Sequence, residues 1–376
     1  MTPQTDESSS ERAHCLYVLP YPKFFSQHAG VGGHVAHAAG VISGLIEAGY
    51  AVDVVAEEHH AIFPRDHCDV ALLSAAGTDP LSRQFWGFRF LRFLGGRIKH
   101  SSPEFCYMRY SASFAPWIPS LKRMLGDVPL ILEVNSVGSQ WTKLMRLLDR
   151  RALRAADRVI CISNVLREQL GATLGNDGHP DIRVVMNGVD VGRFPGNSAA
   201  GPGRQPMQVG YAGLLKPGYG LETIVEAGRM LDPSKVVLNV YGDGPFLDEL
   251  KRLSADVPAL RVHGAIPFLD MPTCLLEQDI LLYVTGPKYI YQSPTKLFEY
   301  LAAGRPIVCA TTPQTRELLE KQGCAVMFPV SDARGLVDAL TPLLDDAVAR
   351  EAMGARARTL AIAEHSWLSR VHAVLR

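Results

Sequence analysis

The chain has 376 residues, 38 Lys and Arg balanced by 38 Asp and Glu, and is 47% hydrophobic and 20% charged. This composition belongs to a globular protein with more than one core; it excludes a disordered chain and one whose overall field draws in nucleic acid. The seven cysteines are scattered without a C-x-x-C pair, the usage of small core residues in a reducing compartment. Residues 1–13 are polar and read as a disordered tail without the basic start and apolar stretch of a signal peptide. No run reaches the roughly 18 apolar residues that cross a bilayer. The expected location is cytoplasmic.

In chain order, residues 15–19 (CLYVL) form a buried-strand pattern. A glycine-rich turn at 29–33 and a helix over about 34–48 follow, then a strand at 50–56. Glycines let backbone N–H groups approach a diphosphate, so Gly32 and Gly33 are candidate phosphate contacts. As a dinucleotide fingerprint the turn is incomplete, with Val35 in the third glycine position, although Glu57 stands near the place of a ribose-binding acid. Residues 83–100 (RQFWGFRFLRFLGGRIKH) interleave four phenylalanines and Trp86 with five cations and no acid. They suit an interfacial segment meeting anionic lipid or a lipid-linked substrate, and equally a surface helix with inward aromatics under snorkelling arginines.

Strands are expected at 106–110, 130–135, 158–162 and 182–186, with a basic helix over 141–156. Arg109, Glu133 and Asn135 fall at strand ends, where open α/β sheets place ligand contacts. Arg109 either binds an acceptor phosphate or pairs with Glu133. Asn135 either bonds a substrate or satisfies its own turn. Residues 196–206 (GNSAAGPGRQP) are the linker candidate.

A second α/β series follows: strands at 208–212, 236–241, 261–264, 280–284 and 306–310, with helices filling the remainder. The loop 213–220 (GLLKPGYG) bears Lys216. Within 291–305 (YQSPTKLFEYLAAGR), Ser293 and Pro294 read as an N-cap and first helical residue, and Gly304 stops the helix. The first turn carries Lys296 and no acid before Glu299, which leaves its N–H groups open to an anion such as phosphate. Glu299 is placed to accept hydrogen bonds from sugar hydroxyls. Strand–helix alternation on both sides of a linker gives two doubly wound domains with a ligand cleft between them.

Absences narrow the chemistry. There is no Gly-Lys dipeptide for a Walker loop and no G-x-S-x-G elbow. The histidine pairs lack cysteine or acid partners at zinc spacing. No Asp-x-Asp occurs, which turns phosphate binding toward backbone, helix end and lysine, with no metal or other cofactor expected.

Taken together, these residues resemble the retaining glycosyltransferases of family 4, with the GT-B fold of two Rossmann-like domains. The resemblance rests on Gly32-Gly33, the segment 156–163 (ADRVICIS), Asn187-Gly188-Val189-Asp190 with Phe194, the segment 241–245 (YGDGP), and 293–300 (SPTKLFEY). It implies an acceptor-side domain over 14–195 and a donor-side domain over 207–355. Residues 356–376 would return toward the first domain, with the last helix at about 366–375. It implies transfer from a nucleotide diphosphate sugar, UDP or GDP, to a hydroxyl of a glycan, lipid-linked intermediate or natural product. Glu299 matches the second glutamate of the family's E-x7-E motif and would bind the donor ribose. Gly213, Tyr291, Ser293, Thr295 and Leu297 would line the donor, and Gly264 and Ile266 would edge the base.

Three departures stand out. Tyr291 occupies the place of the first glutamate. Leu214 and Tyr219 stand where the family's phosphate-clamping arginine and lysine fall, leaving Lys216 nearby. Asn135 replaces a histidine. Asn135, Lys216, Lys296 and Glu299 are the expected catalytic set, with positive potential opposite the leaving diphosphate. Two other classes fit the departures: a non-catalytic partner of another transferase, and a nucleotide-sugar 2-epimerase.

Overall fold

The computed structural model describes residues 12–20, 33–57, 61–73, 80–135, 142–175, 180–196, 205–290 and 294–376. The chain divides into two units, one of Met1–Met186 with Val371–Arg376 and one of Asn187–Arg370. Gly32, Tyr291 and Ser293 lie outside the described residues.

The first unit runs β1 (His14–Val18), α1 (Gly33–Glu47), β2 (Ala51–Ala56), β3 (Cys68–Leu72), α2 (Pro80–Ser101), β4 (Cys106–Arg109) and α3 (Ile118–Leu125). It continues through β5 (Leu130–Val134), α4 (Lys143–Arg154), β6 (Arg158–Cys161), α5 (Asn164–Leu174) and β7 (Asp181–Val184). Its parallel sheet has the order β3-β2-β1-β4-β5-β6-β7. The central strands are buried on both faces because helices cover them, and they read as apolar runs except for Glu133 in β5. Alternate residues, among them Leu16, Val18, Met108, Leu132 and Val159, share one core with the inner faces of α2, α3, α4 and α5. Tyr17, Tyr107 and Glu133 alternate with these and meet the α1 side, where Glu133 reaches His37.

The second unit runs β8 (Met207–Ala212), α6 (Leu221–Met230), β9 (Val236–Tyr241), α7 (Leu247–Ser254), β10 (Leu260–Gly264), α8 (Met271–Leu276) and β11 (Ile280–Tyr283). Then come α9 (Lys296–Ala303), β12 (Ile307–Ala310), α10 (Pro313–Leu319), β13 (Ala325–Phe328), α11 (Ala333–Asp345) and α12 (Ala347–Glu364); α13 (Trp367–Leu375) begins in this unit and from Val371 belongs to the first. The sheet order is β10-β9-β8-β11-β12-β13, again parallel. The chain leaves β8 in one direction and returns beside it as β11. This reversal opens a crevice at the carboxyl ends of those two strands.

Three differences from the sequence reading have local causes. Strands β3 and β13 differ from the expectation: β3 is interrupted by Asp69 and mostly half-exposed, and β13 (AVMF), apolar but mostly half-exposed, lies in the stretch after residue 310 read as helices. The helix α9 begins at Lys296, with Thr295 as its N-cap and no side-chain cap. It ends as expected at Gly304, which takes the left-handed conformation (φ 64°). The unit boundary falls at Met186–Asn187, ahead of the expected linker. Val189 N–H donates to the His365 carbonyl at 2.8 Å, and Arg358 Nη2 reaches the Val191 carbonyl at 3.4 Å. These bonds tie residues 187–194 to the second unit.

Candidate active site

At the carboxyl ends of β8, β9 and β11, three loops meet backbone to backbone. Gly242, at φ +145°, lies so close to the β8 loop that a Cβ there would sit 1.8 Å from the Gly213 carbonyl oxygen. Only glycine supplies both the space and the dihedral. Gly213 in turn leaves room for Lys296, since a Cβ at Gly213 would fall 2.2 Å from the lysine Nζ. The small residues of the 213–220 loop thus make the floor of the crevice and admit a cation from α9.

Lys296 Nζ donates to the Tyr211 hydroxyl at 2.9 Å and lies 4.0 Å from the centre of that ring. Burial among these rings lowers its pKa to about 7, against a smaller opposing pull from Glu299. One turn along the helix, Glu299 is pushed above the usual carboxylate range by burial, and Arg193 and Lys296 restrain the shift. Arg193 Nη1 lies 3.7 Å from Glu299 Oε1, and its guanidinium stands 3.9 Å over the Phe268 ring while Nη2 donates to the Phe268 carbonyl at 2.6 Å. A carboxylate, an unusually acidic lysine and an arginine therefore gather at one strand-end crevice. Such a group can accept hydroxyl hydrogen bonds and neutralise an anion.

Lys216 sits at the rim, its Nζ 5.7 Å from the centre of Tyr219 and 5.3 Å from that of Tyr289. The two rings meet edge to face at 4.5 Å. Among the described residues Lys216 has no ion pair, and its charge is available to a ligand. Gly264 (φ +86°) accepts the Gly242 N–H at 2.7 Å, and Ile266 follows it, half-buried, two residues before Phe268. Thr295 is exposed at the helix start. Leu297 corrects an expectation: its N–H donates to the Pro294 carbonyl at 3.2 Å and its side chain is wholly buried. The tight turn that starts α9 uses this amide, so it is not offered to phosphate.

In the first unit, Glu133 also departs from its expected place among the strand-end ligand contacts. It is fully buried, with its carboxylate taken by the Tyr107 hydroxyl, by Asn135 Nδ2 at 2.9 Å and by His37 Nε2 at 2.8 Å. A buried carboxylate needs such donors, and these leave it no route to a substrate. Its place is to hold Asn135 and His37. Asn135 Oδ1 is buried and, among the described residues, finds no donor. Arg109 Nη1 donates to the His34 carbonyl at 3.0 Å, next to Gly33, the exposed first residue of α1. Arg109 is thereby tied to the start of α1.

Sequence reasoning missed Arg193, Phe268, Tyr211, His37 and Tyr107. Arg193 carried a signal, since it precedes Phe194 in the stretch opened by Asn187-Gly188-Val189-Asp190. Tyr211 and Tyr107 read as ordinary strand aromatics, and nothing local marks their hydroxyls as functional.

The family model described as Glycosyltransferase Family 4 matches residues 31–193, and one described as Glycosyl transferase-like matches residues 223–376. A Bacillus subtilis protein named for teichuronic acid biosynthesis, the glycosyltransferase TuaH, is 27% identical over 201 residues, covering 52% of this chain and 50% of its own length. A GDP-mannose-dependent monoacylated phosphatidylinositol monomannoside mannosyltransferase of Corynebacterium glutamicum is 26% identical over 211 residues, covering 50% and 54%. The chain spans about half the length of these curated relatives.

Among solved structures, a glycosyltransferase from Rickettsia africae superposes with a TM-score of 0.76 at 15% identity, over 97% of both chains. The Anabaena protein HepE in complex with UDP superposes at 0.72 and 14% identity, over 97% of this chain and 98% of its own. Two parallel α/β units on this connectivity are the GT-B fold. By sequence the chain is similar to Glycosyltransferase Family 4 over residues 31–193 and to the glycosyltransferase-like model over residues 223–376, and its fold is that of GT-B glycosyltransferases.

Proposed function

We propose that the chain transfers a sugar from a nucleotide diphosphate sugar to an acceptor hydroxyl, with retained anomeric configuration and without a metal ion. The observation that carries this reading is the grouping of Lys296, Glu299 and Arg193 at the β8–β11 crevice. Glu299 accepts the ribose hydroxyls, the residues after Gly264 edge the base, and Lys296, Lys216 and the Gly213 loop face the diphosphate. Lys296 regains its full charge as the diphosphate arrives, so the positive potential is strongest when a leaving group is present.

In the reaction, the bond from the anomeric carbon to the diphosphate breaks and one to the acceptor oxygen forms on the same face. The acceptor's proton passes to a departing phosphate oxygen. Asn135 Oδ1 takes a hydrogen bond from a substrate hydroxyl. UDP and GDP are the proposed donor nucleotides, and a glycan, lipid-linked or small natural-product hydroxyl the acceptor.

The test is a calorimetric panel of UDP, GDP, dTDP and ADP, with and without EDTA, repeated on Glu299→Ala. One nucleotide should bind at micromolar strength, unaffected by EDTA, and lose at least about 1.5 kcal/mol in the variant. Failure of all four to bind the folded protein would overturn an autonomous transferase.

A further inference from the structure

We propose that the outer surface of α2, α3 and α4 is a docking face for an anionic lipid bilayer. The segment 83–100 lies within α2, which sorts its aromatics onto two sides. Trp86, Phe90 and Leu94 are buried against the sheet, with Trp86 and Phe90 stacked at 4.7 Å. Phe85 and Phe88 point outward, 68% and 52% exposed, among the exposed Arg89 and Arg92. The inward aromatics explain only half of this helix.

The neighbouring helices continue the pattern. Gly87 and Gly95 let α2 approach Trp117 and Met124, where a Cβ would come within 2.3 and 2.5 Å. Met124 is 41% exposed beside Arg123. On α4, Leu144, Leu147, Arg151 and Arg154 follow at spacings of three and four and form one outward stripe, with both leucines more than 60% exposed. The inner faces of all three helices enter one core, so their outer faces share one side of the sheet.

The charge is equally one-sided. The three helices carry five, two and five Lys and Arg, and their one acid, Asp149, is buried and bonded by the Tyr110 hydroxyl. These helices carry twelve of the 38 Lys and Arg of a chain with zero net charge; Arg97 pairs with Asp53 and Asp69 and Lys122 with Asp157, while Arg89, Arg92, Arg123, Arg146 and Arg151 are exposed. A polyanionic glycan or nucleic acid would complement the arginines but offer nothing to the exposed leucines and phenylalanines. The boundary of an anionic bilayer complements both. No helix among the described residues is long and apolar enough to cross a membrane, so the contact is with a surface.

This inference does not depend on the nucleotide site. Its test is co-sedimentation of the full chain with phosphatidylcholine vesicles and with vesicles containing roughly a third phosphatidylglycerol. Variants are Leu144→Ser with Leu147→Ser, and Arg146→Glu with Arg151→Glu. The chain should bind the anionic vesicles, bind neutral ones poorly, and be released by high salt. Each double variant should bind at least about fivefold more weakly, with unchanged thermal unfolding and unchanged nucleotide affinity.

Absence of binding at low salt overturns the proposal. So does vesicle binding that both variants leave intact. Loss in the charge variant alone, together with equally tight binding of soluble polyphosphate, would assign the face to a polyanion instead.

Discussion

Arg193 bridges Glu299 and Phe268: its guanidinium lies 3.7 Å from the carboxylate and 3.9 Å over the ring. The arginine comes from the stretch after Asp190, the glutamate from α9 and the phenylalanine from the loop after β10. One side chain thus couples the proposed ribose acid to the proposed base edge. Arg193→Ala should weaken nucleotide diphosphate binding by about 1 kcal/mol, the scale of a partly exposed ion pair. Arg193→Lys should restore the charge but not the stacking or the fork, so recovery in titration calorimetry should be partial.

Lys296 should make binding depend on pH. An ordinary lysine is charged up to about pH 10.4, whereas burial brings this one to about 7. A diphosphate stabilises the charged form, so binding above pH 7 takes up a proton. Affinity should therefore fall as pH rises from 7 to 9, by up to about tenfold per unit. Calorimetry in buffers of different ionisation enthalpy reads the proton directly. A flat profile would remove Lys296 from the phosphate site.

The same shift has a consequence for stability. Between about pH 7 and 10.4 the unfolded chain holds a proton on Lys296 that the folded chain has released, so this group's contribution rises with pH there. Its full penalty applies below pH 7. Lys296→Met should raise the melting temperature by a few degrees at pH 6, with the gain fading toward pH 10, while nucleotide binding is lost. Thermal unfolding across pH tests both signs.

Gly242→Ala should destabilise the second unit by more than about 2 kcal/mol. Its Cβ would collide with the Gly213 carbonyl, and its φ of +145° is strained for any L side chain. Denaturant unfolding measures the loss. Nucleotide affinity should fall with it, since the Gly213 loop moves.

In the first unit, Glu133→Ala should cost about 3–5 kcal/mol by leaving His37, Tyr107 and Asn135 around a void. Glu133→Gln should cost less, because the amide oxygen still accepts from Tyr107. Vesicle binding and nucleotide affinity of the folded variants should match the parent chain, which separates this scaffold role from substrate contact.

The two parallel sheets were legible because fully buried strands are written as apolar runs, such as 15–19 and 236–241. The stop of α9 at Gly304 was legible for the same local reason, a left-handed position that glycine fills. Strand β3 escaped because its partial burial admits Asp69 into the run, whereas β13 is a four-residue apolar run too short to be told from a helix segment by pattern alone. The start of α9 shifted to Lys296, where the Leu297 and Phe298 amides donate to the Pro294 and Thr295 carbonyls and tighten the turn.

By itself the sequence determined the strand–helix alternation apart from β3 and β13, the glycines that let loops pack backbone to backbone, and the presence of Lys296 and Glu299 on one helix. All of these are short-range properties, set by periodicity and backbone sterics within a few residues. Only the tertiary structure decided what surrounds those groups. Tyr211 reaches Lys296 across 85 residues of chain and Arg193 stands 106 residues before Glu299, as His37 stands 96 before Glu133. Charge state and accessibility follow from such distant neighbours, because desolvation and Coulomb terms depend on distance in space and not along the chain.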